Sequence, residues 1–147
     1  MPPVIHRFIA AENYNTSNNR MTFQHRERVT VANINAGYTI LPAILNYKYR
    51  IADMAMIAIG GAASGATDVR ILGTQSAASA ALLITAIAAL TQNTLVRAGA
   101  ANATILAGGL SFVECDNNTA ITVGKTGGSL ATSTHVDFII TYALEKN

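Results

Sequence analysis

The sequence predicts an all-β fold, an antiparallel jelly-roll-like sandwich or barrel over residues 29–147, preceded by an extended N-terminal arm over residues 1–28. Three observations carry this expectation. Runs of alternating apolar and polar residues, rich in Val, Ile, Thr and Tyr, recur along the chain. Gly99, Gly108-Gly109, Asn117-Asn118 and Gly127-Gly128 punctuate them about every ten residues, the turn spacing of antiparallel sandwiches. The length, 147 residues, is that of one domain.

The arm is read from its composition. Val4, Ile5, Phe8 and Ile9 form a short apolar patch, and the tract from Asn13 to Asn19 holds four Asn in seven residues. Such a segment cannot bury its apolar tip on itself, so it is expected to lie on a neighbour. From Val29 to Ile34 the alternation predicts a strand, Ala36-Gly37 a turn, and Tyr38 to Leu41 a strand ending at Pro42. Lys48 to Ile59 predicts a long strand with Tyr49, Ile51, Ala55, Ile57 and Ile59 inward. Asp53 falls on that apolar side, which predicts a bulge beside it.

The small-residue stretch from Gly60 to Thr67 is expected as a loop before a strand at Asp68 to Gly73. Ser76 to Leu90 is Ala-rich, yet Ile84, Thr85 and Ile87 are β-branched, so a strand followed by an irregular turn is favoured over a helix. Further strands are expected at Thr94 to Ala98, Ala103 to Ala107, Leu110 to Cys115, Ala120 to Gly124 and His135 to Leu144. In the last of these Val136, Phe138, Ile140 and Tyr142 share one face.

Charged residues make up 12% of the chain and apolar residues 50%. A surface so poor in charge suits one covered by other subunits, and an oligomer is the expected state. The net charge of +2 lies wholly in residues 1–28, where Arg7, Arg20, Arg26 and Arg28 stand against Glu12 and Glu27. Cys115 is the single cysteine, which excludes an intrachain disulfide and a thiolate cluster. His6 and Arg7 interrupt the one N-terminal apolar run, so no secretory leader is read there, and Ala77 to Leu90 is too short to cross a bilayer. No membrane partner is expected.

Catalysis needs titratable groups that converge, and few are offered. His6 and His25 stand in the arm without a ligand partner. His135 and Asp137 share a strand face, as do Glu114 and Asp116, and a solvated or salt-bridged role is expected for both pairs before a metal site. Gly124-Lys125-Thr126 lacks the earlier glycine of a phosphate loop. No enzyme activity, cofactor or metal is expected. A net +2 is weak for binding a polyanion, so the arginines are expected on carboxylates of a protein partner and not on nucleic acid. Ile5, Arg7, Phe8, Arg20, Phe23, Arg26 and Arg28 are the candidate contact residues.

Gly37-Tyr38-Thr39-Ile40-Leu41-Pro42, the run from Asp53 to Ala63, and Val96-Arg97-Ala98-Gly99-Ala100 resemble small virion proteins of tailed bacteriophages, over roughly residues 29–144. Capsid decoration, or cement, proteins are the most similar in character. The resemblance implies a structural protein on the outer surface of the capsid, made in the host cytoplasm, trimeric, and bound to the major capsid protein. Residues 1–28 have no counterpart in it. The alternative reading, a tail or fibre component binding a host receptor, would need loop aromatics, for which Tyr14, Tyr38 and Tyr47 are the candidates.

Overall fold

A computed structural model describes residues 21–147. Within them, nine strands form two antiparallel sheets. One has the order β1 (Thr22–Thr30), β9 (His135–Lys146), β3 (Tyr47–Ile59), β6 (Leu95–Arg97). The other has the order β2 (Tyr38–Leu41), β8 (Ile121–Ala131), β4 (Ser64–Gln75), β5 (Ala78–Ala86), β7 (Ala103–Ile105). The pairs nest as a hairpin rolled on itself: β4 with β5 at the tip, then β3 with β6, β2 with β8, and β1 with β9 outermost. Contacts of β3 with β9 and of β4 with β8 close each sheet. This is a jelly roll, as expected, with β7 added beside β5.

The two inner faces meet in one core. Tyr49, Ile51, Met54, Met56, Val136, Phe138, Ile140 and Tyr142 come from the first sheet, and Val69, Ile71, Leu82, Leu83, Ile121 and Val123 from the second. Tyr49 sits edge-on to Tyr142 at 5.2 Å and donates its hydroxyl to the Pro42 carbonyl at 2.6 Å, so its one polar atom is satisfied.

The expected irregularity in β3 is present and lies between Ile51 and Asp53, where Ala52 has no partner on β9. Its consequence reaches further than the sequence reading allowed. One extra residue inverts the alternation, so Met54, Met56 and Ala58 fill the core while Ile57 and Ile59 turn to the outer face, only half-buried.

Four further expectations are corrected. Val31 to Ala36 is a helix, α1 (Val31–Ala36), not the continuation of a strand. Thr30 caps it by accepting from the Asn33 N–H, Gly37 closes it at a φ of 82°, and Asn35 fastens it to β8 by exchanging two hydrogen bonds with the Leu130 backbone. Local capping outweighs the apolar alternation. Where the strand from Leu110 was expected, Ala107–Phe112 is a pair of short helical turns broken by a kink at Gly108 and Gly109, which both take left-handed φ, and the buried Ser111 hydroxyl holds it by joining the Leu106 N–H to the Leu82 carbonyl. Finally, β4 begins at Ser64, inside the expected loop, and Gly127-Gly128 lies within β8 instead of ending it.

The anticipated strand and irregular turn at residues 76–90 are β5 and a 3-10 turn at Ile87–Ala89. The turn leading into β5 is tight: Ser76 and Ala77 have φ of 53° and 60°. Both N–H groups donate to the Asp116 carboxylate, at 3.0 and 2.7 Å, which holds an otherwise unfavourable backbone in place.

Candidate assembly surface

The boundary anticipated at residue 28 falls inside β1. Residues 22–30 pair along their whole length with β9, Phe23 opposite Tyr142 and Arg28 opposite Asp137. Alternation then divides the candidate contact residues. Phe23 turns inward and packs on Tyr142 with ring centroids 5.8 Å apart, while Arg26 and Arg28 stand on the outer face. Ile5, Arg7, Phe8 and Arg20 lie outside the described residues, as does Tyr14.

On that outer face both arginines converge on Asp137. Arg28 makes a two-point contact at 2.7 and 3.0 Å, and Arg26 adds a third bond at 2.8 Å. The Asp137 side chain is only 2% exposed, whereas those of Arg26 and Arg28 are 59% and 55% exposed, so the guanidiniums form a lid over the carboxylate. The Arg28 bond is the leading cause that holds the Asp137 carboxyl below its usual pKa, against the opposing effect of burial. It also raises the Arg28 guanidinium.

The same pattern recurs across the body. Arg50 reaches Glu145 at 2.5 Å and Glu114 at 2.9 Å, Arg70 grips Asp68 at 2.7 and 2.9 Å, and Arg97 pairs with Asp53. Every described arginine is therefore ion-paired within the chain. Arg70 lowers the Asp68 carboxyl chiefly through its hydrogen bond, and Glu145 raises Arg50 in the same way. Glu27 accepts from the Tyr38 hydroxyl at 2.6 Å and meets His25 Nε2 at 3.0 Å, tying the edge of one sheet to the edge of the other.

These contacts answer the chemical candidates raised by spacing. Asp137 is committed to arginines, and His135 bonds Thr134, so the two do not act together. Glu114 is on Arg50 and Asp116 is on the β4–β5 turn, in different directions. Among the described residues no three His, Cys, Asp or Glu side chains gather as a metal site, and no helix is long and apolar enough to cross a membrane. Burial pushes the Cys115 thiol up to about 11. Tyr38 and Tyr47 belong to β2 and β3 and not to loops.

Large apolar side chains in contact with solvent are few: Met21, Leu45, Leu95, Leu110 and Val113 among the described residues, with Leu45 at 76% exposure the most open. Leu95 lies opposite Ile57 on the outer face of the first sheet, at the far end of the row that also holds Asp137 and Arg28. That face thus offers an apolar strip flanked by internally neutralised charge. Sequence spacing missed Asp137 as its organiser. The one local signal was an acid among the apolar residues of β9.

The described body is a jelly roll, an architecture that viral capsid and lectin domains share. No family model matches the chain, and no curated protein matches it. Among solved structures, it is similar to a chain in the cryo-EM structure of the giant freshwater prawn Macrobrachium rosenbergii extra small virus VLP, at 10% identity and a TM-score of 0.33, covering 90% of this chain and 83% of that one. A likeness at that level does not establish a shared function.

Proposed function

We propose that this chain is a structural virion protein, a head decoration or cement protein that binds the major capsid protein at the outer surface of the capsid and assembles as a homotrimer. The supporting observation is the rolled-hairpin jelly roll whose arginines are all neutralised by its own carboxylates among the described residues. Such a body has steady, low-charge surfaces for packing and, among those residues, no unpartnered acid and base placed to move a proton. Its work is attachment. The sequence before β1, with its apolar patch and Arg7 and Arg20, is the part proposed to grip the capsid.

The test must spare β1, since removing residues 1–28 would delete most of that strand. Deletion of residues 2–20 is expected to leave the circular dichroism and the oligomeric mass unchanged while abolishing co-sedimentation with undecorated phage heads. Retention on heads by the truncated protein overturns the proposed role of the segment. Closed shells formed by the purified full chain alone, seen by negative-stain microscopy, overturn decoration in favour of a shell-building subunit.

A further inference from the structure

β1 ends its sheet, and among the described residues no strand pairs with its outer edge. In an antiparallel strand alternate residues turn their N–H and C=O groups away from the one neighbour, so a nine-residue edge presents a row of free donors and acceptors. Edges of this kind are commonly guarded by charge, and β1 carries His25, Arg26, Glu27 and Arg28. Here the order of those residues does more than guard. About Arg26 the strand is nearly its own mirror image: Thr22 matches Thr30, Phe23 matches Val29, Gln24 matches Arg28, and His25 matches Glu27.

We infer that β1 is a self-pairing edge, and that two copies of this chain join antiparallel through it about a twofold axis at Arg26, making one continuous eight-stranded sheet. In that register His25 of each copy, already bonded to its own Glu27, also faces Glu27 of the other, twice, so the two in-chain pairs join into one alternating cluster. Phe23 stands beside Val29 on the inner side, and the Gln24 amide oxygen accepts from Arg28 on the outer side. The two Arg26 side chains meet at the axis, each already held by its own Asp137, which offsets their repulsion.

Other registers are worse. A shift by one residue sets the inner side of one strand against the solvent side of the other. Centring on Glu27 brings Glu27 against Glu27 and Arg26 against Arg28, twice. Centring on His25 sets two histidines together and leaves Phe23 against Glu27. One register is thus selected by burial and by charge together, which is what a specific joint requires and an adventitious edge contact lacks.

The pairing rests on the assembly reading only in needing a second copy, and its test separates the two. Being twofold, the joint is distinct from any threefold contact and would link trimers in pairs. His25→Glu sets a carboxylate against Glu27 of the other copy, and Glu27→Lys sets an ammonium against His25 of the other copy. Each variant is therefore expected to weaken the joint roughly tenfold or more. An equimolar mixture of the two restores complementary pairs, Glu with Lys and Glu with His, and is expected to sediment as the parent does in analytical ultracentrifugation. Each variant should keep the circular dichroism of the parent. As a check that does not depend on those charges, Arg26→Cys is expected to give a disulfide-linked dimer on mild oxidation, whereas Thr39→Cys, on the edge of the other sheet, is not. Unchanged association of both variants, a mixture no tighter than either alone, or failure of Arg26→Cys to cross-link overturns the inference. A joint that behaves as stated in a protein that never binds heads leaves the edge pairing standing and removes the decoration role.

Discussion

Arg28 and Asp137 face each other across β1 and β9, joined at 2.7 and 3.0 Å, although 109 residues separate them in the sequence. The bond fastens the outermost pair of the rolled hairpin at its most buried acid. Replacing Asp137 by Asn leaves two guanidiniums without their counter-charge and is expected to cost about 1–3 kcal/mol in urea unfolding, part of it screened because the arginines are half in water.

The same carboxylate gives the protein an acid limit. Its folded pKa lies below the unfolded value of about 3.9. Its stabilising contribution is therefore complete above that value and is lost as the pH falls through the folded one. Asp68 on Arg70 has the same sign. The gap in stability between the parent and Asp137→Asn is expected to narrow below about pH 4, measured as urea midpoints at a series of pH values. A gap that widens on acidification contradicts this.

Ala52 is expected to be dispensable. Deleting it removes the bulge and leaves Ile51 inward, Asp53 outward and Met54 inward, all in the present register. The melting temperature should move by less than about 8 °C. Deleting Ala55 instead turns Asp53 inward and Met54 outward, and the cooperative thermal transition should vanish.

The β4–β5 turn is stored strain that substitution can relieve. Ser76 and Ala77 both sit at left-handed φ, which disfavours each by about 1 kcal/mol relative to residues suited to it. Ser76→Asn with Ala77→Gly is expected to raise stability by roughly 1 kcal/mol. Asp116→Ala, which releases both turn N–H groups, should lower it by a similar amount.

Gly73 is required by packing and not by its backbone angle. A methyl group there would lie 2.9 Å from Cys115 Sγ and 3.0 Å from a Leu82 methyl. Gly73→Ala is expected to cost about 1–3 kcal/mol, and Cys115→Ala in the same chain to return part of it, so the double-mutant cycle should show coupling. The buried, high-pKa thiol should react with a disulfide reagent at pH 8 only as fast as the protein unfolds.

The strands and their two-sheet arrangement were legible because alternation and turn residues are local. What escaped was decided elsewhere. Asp53 marked a bulge beside it, but not that the unpaired residue is Ala52 and that the phase of β3 is inverted beyond it. The helix at Val31–Ala36 was written in Thr30 and Gly37, two caps that compete with an alternation too short to win. Arg26 and Arg28 read as free contact residues since their shared acid lies more than 100 residues away. Position on an edge strand, likewise, is a property of sheet order and not of β1 itself.

The outermost pair of the rolled hairpin also sets a timetable. β1 is made more than 100 residues before its ladder partner β9, so while the residues between them are synthesised β1 waits without its mate. An edge that has no strand partner among the described residues of the folded chain is open on both sides in the growing one. The arginines, histidine and glutamate strung along β1 therefore protect the nascent chain before they serve the mature one.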